Sequence, residues 1–338
     1  MTGAGSGATI VVESPGLFTT VQDLGRPGHA RLGVSAAGAA DPVALRLANR
    51  LAGNDEAAAA LEMTLAGATF RFEAGAVMAI AGAEMEAIAE SDAGGLPVPA
   101  GCAAFVPAGG RLRCGAARQG ARTVLAVAGG LRVPPWLGSV STHVGSRLGG
   151  VEGRALVKGD RLPFAPEAAA AAEGLEVAAA GRPAILRRLE GELPGGPAGA
   201  LPVRLRATAG AQWDRFDAGA RAAFAGSEYV VSGASDRMGL RLDGAPLAPP
   251  GAGRMLTEGM PLGAVQIPPA GKPVILFVDH QTTGGYPVIA SIITADQPRV
   301  AQLRPGARLR FELVGLDAAL RLLHEQEARL AALRMVPA

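Results

Sequence analysis

The chain has 338 residues, 49% of them apolar, and a formal charge of +2 from 32 basic and 30 acidic residues. That length suits two ordinary domains, and the scattered arginines form neither the basic stripe of a nucleic-acid binder nor the polybasic edge of a membrane-surface protein. Cys102 and Cys114 stand apart from any CxxC or Cys/His cluster, so a disulfide framework is not expected and a reducing cytoplasm is.

The opening, MTGAGSGATIVVESPG, has no charged segment followed by an apolar one, as a signal peptide would. Its glycines follow no strand and open no helix, so they read as a tail rather than a phosphate loop. The next segment, TIVVE, reads as a strand. After a Pro-Gly turn comes TTVQDLGRPGH, Thr19 to His29, where Gln22, Asp23 and Arg26 gather among glycines. Two readings stand for this cluster. Asp23 and Arg26 either satisfy loop amides, or present a carboxylate and a guanidinium to a small polar substrate.

DPVALRLANRLAGN predicts a helix, with Asp41 as its N-cap, Pro42 at the first helical position and Gly53 just past its end. Val43, Leu47 and Leu51 form the apolar stripe. Glu62, in ALEMTLAG, is a lone carboxylate bordered by apolar residues. ATFRFE sets Phe70 and Phe72 on one face of a strand, while VMAIAGA and TVLAVAGG read as buried strands. His143 lies in a glycine- and serine-rich loop, GSVSTHVGSRLGG, where solvent exposure is expected. From Pro163 to Leu201 the composition falls to Ala, Gly, Pro and Glu, which marks a divide, although PAILRRL could add one short element.

In the second half EYVV predicts a strand, followed by SGASDRMGLRL. Neighbouring residues on a strand face opposite ways, so only one of Asp236 and Arg237 can enter a pocket. Glu258, in LTEGMPLGAVQIP, is another isolated carboxylate. PVILFV is a buried strand, and it leads into VDHQTTGGYPV, which carries more polar side chains than a hairpin turn needs. Gly284 and Gly285 would supply amide N–H groups for an anion nest. Thr282 and Thr283 would add hydroxyls, and Asp279 or His280 could move a proton; the alternative is a decorated hairpin. ARLRFELV alternates strictly, and the C-terminal DAALRLLHEQEARLAALR is helical, with Ala319, Leu323, Leu330 and Leu333 near one stripe that would pack on a barrel or a partner chain. Short strands punctuated by Gly and Pro favour barrels or sandwiches over βαβ units. The chain has no G-x-x-x-x-G-K-[ST], H-E-x-x-H or G-x-S-x-G, and its four histidines show no metal-ligand spacing.

Taken in order, SPGLFTTVQDLGRPG, GAADPVALRLANRLAGN, ALEMTLAG, GSVSTHVGSRLGGVEGRALVKGD, SDRMGLRL, GAVQIPPAGKPVILFVDHQTTGGYP and AQLRPGARLRFE resemble the biotin-dependent carboxyltransferase A/B-subdomain family. That family includes KipA-type antagonists of the kinase inhibitor KipI, the C-type component of bacterial 5-oxoprolinase and the so-called allophanate hydrolase subunit 2. The resemblance implies a mainly β chain with a few helices, built as two cyclophilin-like β-barrel domains. They are expected at residues 1–162 and 201–315, joined by a connection over 163–200 and followed by a helix over 316–338.

It also implies a KipI-like partner, the B-like component of 5-oxoprolinase, together with a third, A-like component. The activity implied is ATP-dependent opening of 5-oxoproline, with ATP held mostly by the partner chains. Under that reading Asp23, Asp279 and Glu258 are the catalytic candidates. Gln22, Arg26, Asp236, Arg237, Gln281, Thr282, Thr283, Gly284, Gly285 and Tyr286 are the candidates for holding a small-molecule substrate. No nucleic acid, membrane or metal is implied. In the urea carboxylase branch the equivalent region transfers a carboxyl group from biotin to urea. The only lysines here, Lys158 and Lys272, lie in no Met-Lys-Met hairpin, so covalently attached biotin is not expected on this chain. A purely regulatory role against a KipI-like protein is the third reading. The sequence departs from the family pattern at His280, where arginine is usual, and at Ala40, where methionine often precedes Asp-Pro.

Overall fold

The computed structural model describes residues 8–165, 181–191, 202–251 and 255–338. The glycine-rich opening through Gly7 and most of the Ala/Gly/Pro-rich connection lie outside the described residues. The chain forms two compact units, and neither is a continuous stretch. Of the described residues, the first takes in those up to Gly25, those from Asp41 through Glu190, and those from Leu333 onward; the second takes in Arg26–Ala40 and those from Val203 to Ala332.

In the first unit the strands are β1 (Ala8–Ser14), β2 (Phe18–Gln22), β3 (Ala60–Thr64), β4 (Thr69–Phe72), β5 (Ala76–Ser91), β6 (Gly94–Pro97), β7 (Cys102–Val106), β8 (Arg111–Val127), β9 (Arg161–Phe164) and β10 (Ala184–Glu190). They belong to one sheet, with β10-β7-β5-β8-β4-β1-β9 as its main path, β2 and β3 attached through β8, and β6 attached to β5. The short element suspected in PAILRRL is β10. Along β5, Met85, Ala87 and Ala89 are buried while Glu84 and Glu86 are exposed, as a strand with one wet face requires. Its first half is buried on both faces. One face joins the core with Ile10, Phe70, Phe72, Leu125 and Phe164; the helix Pro42–Ala52 covers the other. That helix has the predicted ends: Ala44 N–H donates to Asp41 Oδ1 at 2.9 Å, and Gly53 closes it with φ of 81°.

The second unit contains β11 (Val203–Ala209), β12 (Tyr229–Val231), β13 (Gly239–Asp243), β14 (Glu258–Gly259), β15 (Ala264–Gln266), β16 (Val274–Leu276), β17 (Thr283–Gly284), β18 (Val288–Ile292) and β19 (Arg308–Leu313). Seven of them close a barrel in the order β11-β18-β15-β16-β13-β12-β19, shut by the parallel pairing of β11 with β19. Alternation puts Leu309 and Phe311 inside, where Phe311 stacks on Phe224 with ring centroids 4.4 Å apart. Strands β14 and β17 form a separate two-stranded ribbon.

The chain is therefore mainly β with few helices, as expected. The C-terminal helix, expected over 316–338, stops at Ala332, and residues Arg334–Pro337 form strand β20 on the edge of β10. Pro337 lacks a donor and drives Val336 to extended backbone, which excludes a further helical turn. Among the described residues no helix is long and apolar enough to cross a membrane.

Candidate functional site

The ladder between β13 and β16 runs on past their ends. Phe277 N–H donates to Met238 O and Asp279 N–H to Arg237 O, at 3.0 and 2.8 Å. This brings together two residues from separate sequence clusters. Arg237 grips Asp279 with both arms of its fork, Nε to Oδ2 at 2.9 Å and Nη2 to Oδ1 at 3.1 Å. Nη2 also donates to Gly38 O at 2.7 Å, and Ser35 Oγ donates to Val278 O at 3.2 Å. The pair thus fastens the 26–40 segment to the strand end. Both side chains are buried, while Asp236 is exposed and closes a turn by accepting from the N–H groups of Met238 and Gly239. Of the two neighbours, then, Arg237 is the one that turns inward. Arg26 belongs to the same unit and is 1% exposed, with its N–H donating to Ala36 O at 2.8 Å.

Beyond Asp279 the chain enters the β14–β17 ribbon, where Glu258 faces Gly284 and Gly259 faces Thr283. Met260 N–H donates to Thr282 O, and Met255 N–H to Gly285 O. The anion nest expected from the two glycines is not formed, because neither has a left-handed φ. Close approach explains them instead. A Cβ at Gly284 would lie 2.7 Å from Gln266 Nε2, and one at Gly285 would lie 3.1 Å from Met255 O. Glu258 Oε1 accepts from Gln212 Nε2 at 2.9 Å, and Gln212 Oε1 accepts from Val288 N–H at 2.9 Å. A buried amide thus holds the carboxylate against the barrel wall. Gln281, Thr283 and Tyr286 are exposed along the ribbon. His280 Nδ1–H donates to Gln281 O at 2.7 Å. Burial holds its imidazole below the ordinary histidine range, opposed by the Gln281 carbonyl and the Asp279 charge.

Gln22 and Asp23 lie in the first unit. Asp23 is a clamp: Oδ1 accepts from Ser139 Oγ at 2.6 Å, Ser141 Oγ at 2.5 Å and Gly25 N–H at 2.8 Å, and Oδ2 accepts from Val140 N–H at 2.8 Å. All these donors come from two loops. Gln22 Nε2 donates to Thr20 Oγ1 and Thr142 O, whereas its buried Oε1 has no partner among the described residues. Glu62 is buried on β3, opposite Thr20. His143, expected in solvent, is buried and accepts from Ser146 N–H at Nδ1. The tight turn from His143 to Leu148 closes over it.

Sequence reasoning did not single out Gln212, Gln266, Ser139 or Ser141. A glutamine inside the apolar strand GAVQIP was a usable signal, since a buried amide demands partners. The serines at alternate positions of GSVSTH were another. Among the described residues no group of three or more His, Cys, Asp or Glu side chains could hold a metal ion.

With this geometry in view, residues 32–313 match the family described as carboxyltransferase domain, subdomain A and B, and the chain belongs to that family. It is 39% identical to the C-type component of 5-oxoprolinase from Escherichia coli, over 92% of this chain and 93% of that protein. It is 36% identical to the corresponding 5-oxoprolinase component of Haemophilus influenzae, over 94% of this chain and 95% of that one. Among solved structures, K. lactis urea amidolyase superposes with a TM-score of 0.82 at 26% identity, over 97% of this chain and 20% of that much longer one.

Proposed function

We propose that this chain is one component of a multi-subunit, ATP-dependent 5-oxoprolinase that opens 5-oxoproline to glutamate in the cytoplasm, together with a KipI-like chain and a third, A-like chain. The observation that carries the reading is the end-to-end likeness to the E. coli C-type 5-oxoprolinase component, with 92% of one chain matched to 93% of the other.

A lactam carbonyl resists attack by water, and ATP supplies the phosphoryl group that makes its carbon electrophilic. The ribbon residues do not fit a nucleotide themselves. Gly284 and Gly285 lie in or beside a strand pair rather than in a phosphate-holding turn, so nucleotide binding is assigned to the partner chains. What the ribbon offers is an oriented carboxylate. Glu258 is half-buried, fixed through Oε1 by Gln212, and keeps Oε2 for a proton in transit. Gln281, Thr283 and Tyr286 line the exposed edge and supply polar contacts to a small acid. Asp23 and the Arg237–Asp279 pair are engaged on all the oxygens described above, and we assign them to positioning the loops rather than to proton transfer.

The test is reconstitution. This chain, the KipI-like chain and the A-like chain are mixed, and glutamate release from 5-oxoproline is followed with and without ATP. Activity that needs all three components supports the proposal. Full activity with this chain left out sinks it. The likeness to urea amidolyase favours carboxyl transfer as the second reading; under it, turnover would require a carboxylated biotin carrier and would ignore 5-oxoproline.

A further inference from the structure

Within the second unit, strand β11, the 294–301 segment and the helix Leu316–Ala332 line a cavity of about 210 Å³. Helix positions 322, 325, 326 and 329 are spaced to share one face. A helix face turned toward a protein body is normally apolar, yet here Glu325, Gln326 and Arg329 accompany Leu322 in lining the cavity. Gln326 has a structural task, since its Nε2 donates to Ala295 O at 2.9 Å and ties the helix down. The arginines do not all have one.

The lining carries three arginines, Arg206, Arg299 and Arg329, and a single carboxylate, Glu325. Arg206 is held rigidly from beneath by Asp296, which is 0% exposed and does not itself line the cavity. Asp296 Oδ2 accepts from Arg206 Nε at 3.0 Å and from its backbone N–H at 2.7 Å. Arg299 Nε lies 3.6 Å from Asp296 Oδ1, so one buried carboxylate serves two guanidiniums. Arg329 is exposed and makes no ion pair among the described residues. Asp296 also holds the Arg206 guanidinium firmly charged, raising it above the usual arginine range.

Two guanidiniums anchored on Asp296 and a third at the exposed rim, in excess over acids, suit an oxyanion, which arginine forks match with paired N–H donors. The cavity is smaller than the roughly 300 Å³ at the low end of drug-sized pockets, which points to a compact ion or a single group of a larger ligand. We infer that this cavity binds a phosphate-class oxyanion, with Arg206, Arg299 and Arg329 as its donors. The inference stands independently of the 5-oxoprolinase reading.

Isothermal titration of the full chain at low salt tests it, with inorganic phosphate, ATP and succinate as separate ligands. Phosphate is expected to bind saturably. Arg329→Ala should weaken binding by roughly tenfold or more, while the variant's unliganded melting temperature stays put because the side chain is exposed and unpaired. Glu325→Gln should tighten binding by removing like charge. Binding of ATP alone, lost in Arg329→Ala, would identify the oxyanion as part of a nucleotide and support the site. The inference is overturned by no saturable binding of phosphate or ATP, by binding indifferent to Arg329→Ala, or by succinate binding as tightly as phosphate.

Discussion

The Arg237–Asp279 pair sets up a sharp energetic test. Arg237 is 8% and Asp279 5% exposed, and the guanidinium donates two bonds to the carboxylate and a third to Gly38 O. Asp279→Ala leaves a buried positive charge without its carboxylate, and Arg237→Ala leaves the reverse. Breaking a buried pair in this way costs about 3–5 kcal/mol, whereas replacing both partners by apolar residues recovers much of that loss. For a unit of this size each kcal/mol moves the melting temperature by about 2–4 °C, so either single change should lower it by roughly 6–20 °C. Urea titration read by Trp213, in a Trp136→Phe background, follows the second unit alone, because the two tryptophans lie one in each unit. The double variant Arg237→Met/Asp279→Leu should be clearly more stable than the sum of its single losses predicts, with a coupling of about 2 kcal/mol or more. Additive single losses, or losses under about 1 kcal/mol, would refute the clamp.

Four further outcomes follow from the same structure. Asp23→Ala strands the buried hydroxyls and N–H groups of the 139–141 loop and should cost about 3 kcal/mol, with Asp23→Asn milder, both read by chemical denaturation. Glu258→Gln keeps the Gln212 contact but removes the exchangeable charge; it should lower turnover of the reconstituted complex at least about 100-fold with no change in melting temperature. His280 is held below its ordinary range by burial, so the unfolded chain takes up a proton first as pH falls. Native stability should accordingly fall below about pH 6.5 until the lower folded-state value is passed, and a His280→Gln variant should lack that loss when urea midpoints are compared. Burial pushes the Cys114 thiol up to about 12 and raises Cys102 less, so iodoacetamide should leave Cys114 unlabelled in the native protein and modify both cysteines in denaturant.

Local chemistry was legible in the sequence, and distant pairing was not. Asp41, Pro42 and Gly53 defined the first helix because each acts within one turn of the backbone. Alternation gave the inward faces of β4 and β19, and it implied that Asp236 and Arg237 must part ways. No spacing rule, however, links Arg237 to Asp279, or Asp23 to Ser139 and Ser141. Those contacts arise when strands from distant parts of the chain take up register. Gly284 and Gly285 misled for a related reason. Glycine reports either unusual backbone or crowding, and only Gln266, Met255 and Met260, which press on them, reveal that crowding is the cause here. The end of the last helix was missed because a periodic stripe continues through Leu333, while Val336 and Pro337 impose extended backbone just beyond it.

Strand β20 has a consequence for the order in which the protein can be made. During synthesis β10 emerges before any of the second unit's barrel strands, while its neighbour β20 emerges after all of them. Until residues 334–337 leave the ribosome, one backbone edge of β10 stays open to any other strand in reach, its own chain's or a second copy's. Ribosome pauses within the second barrel would lengthen that exposure, and a chaperone acting on this nascent chain has that edge to protect.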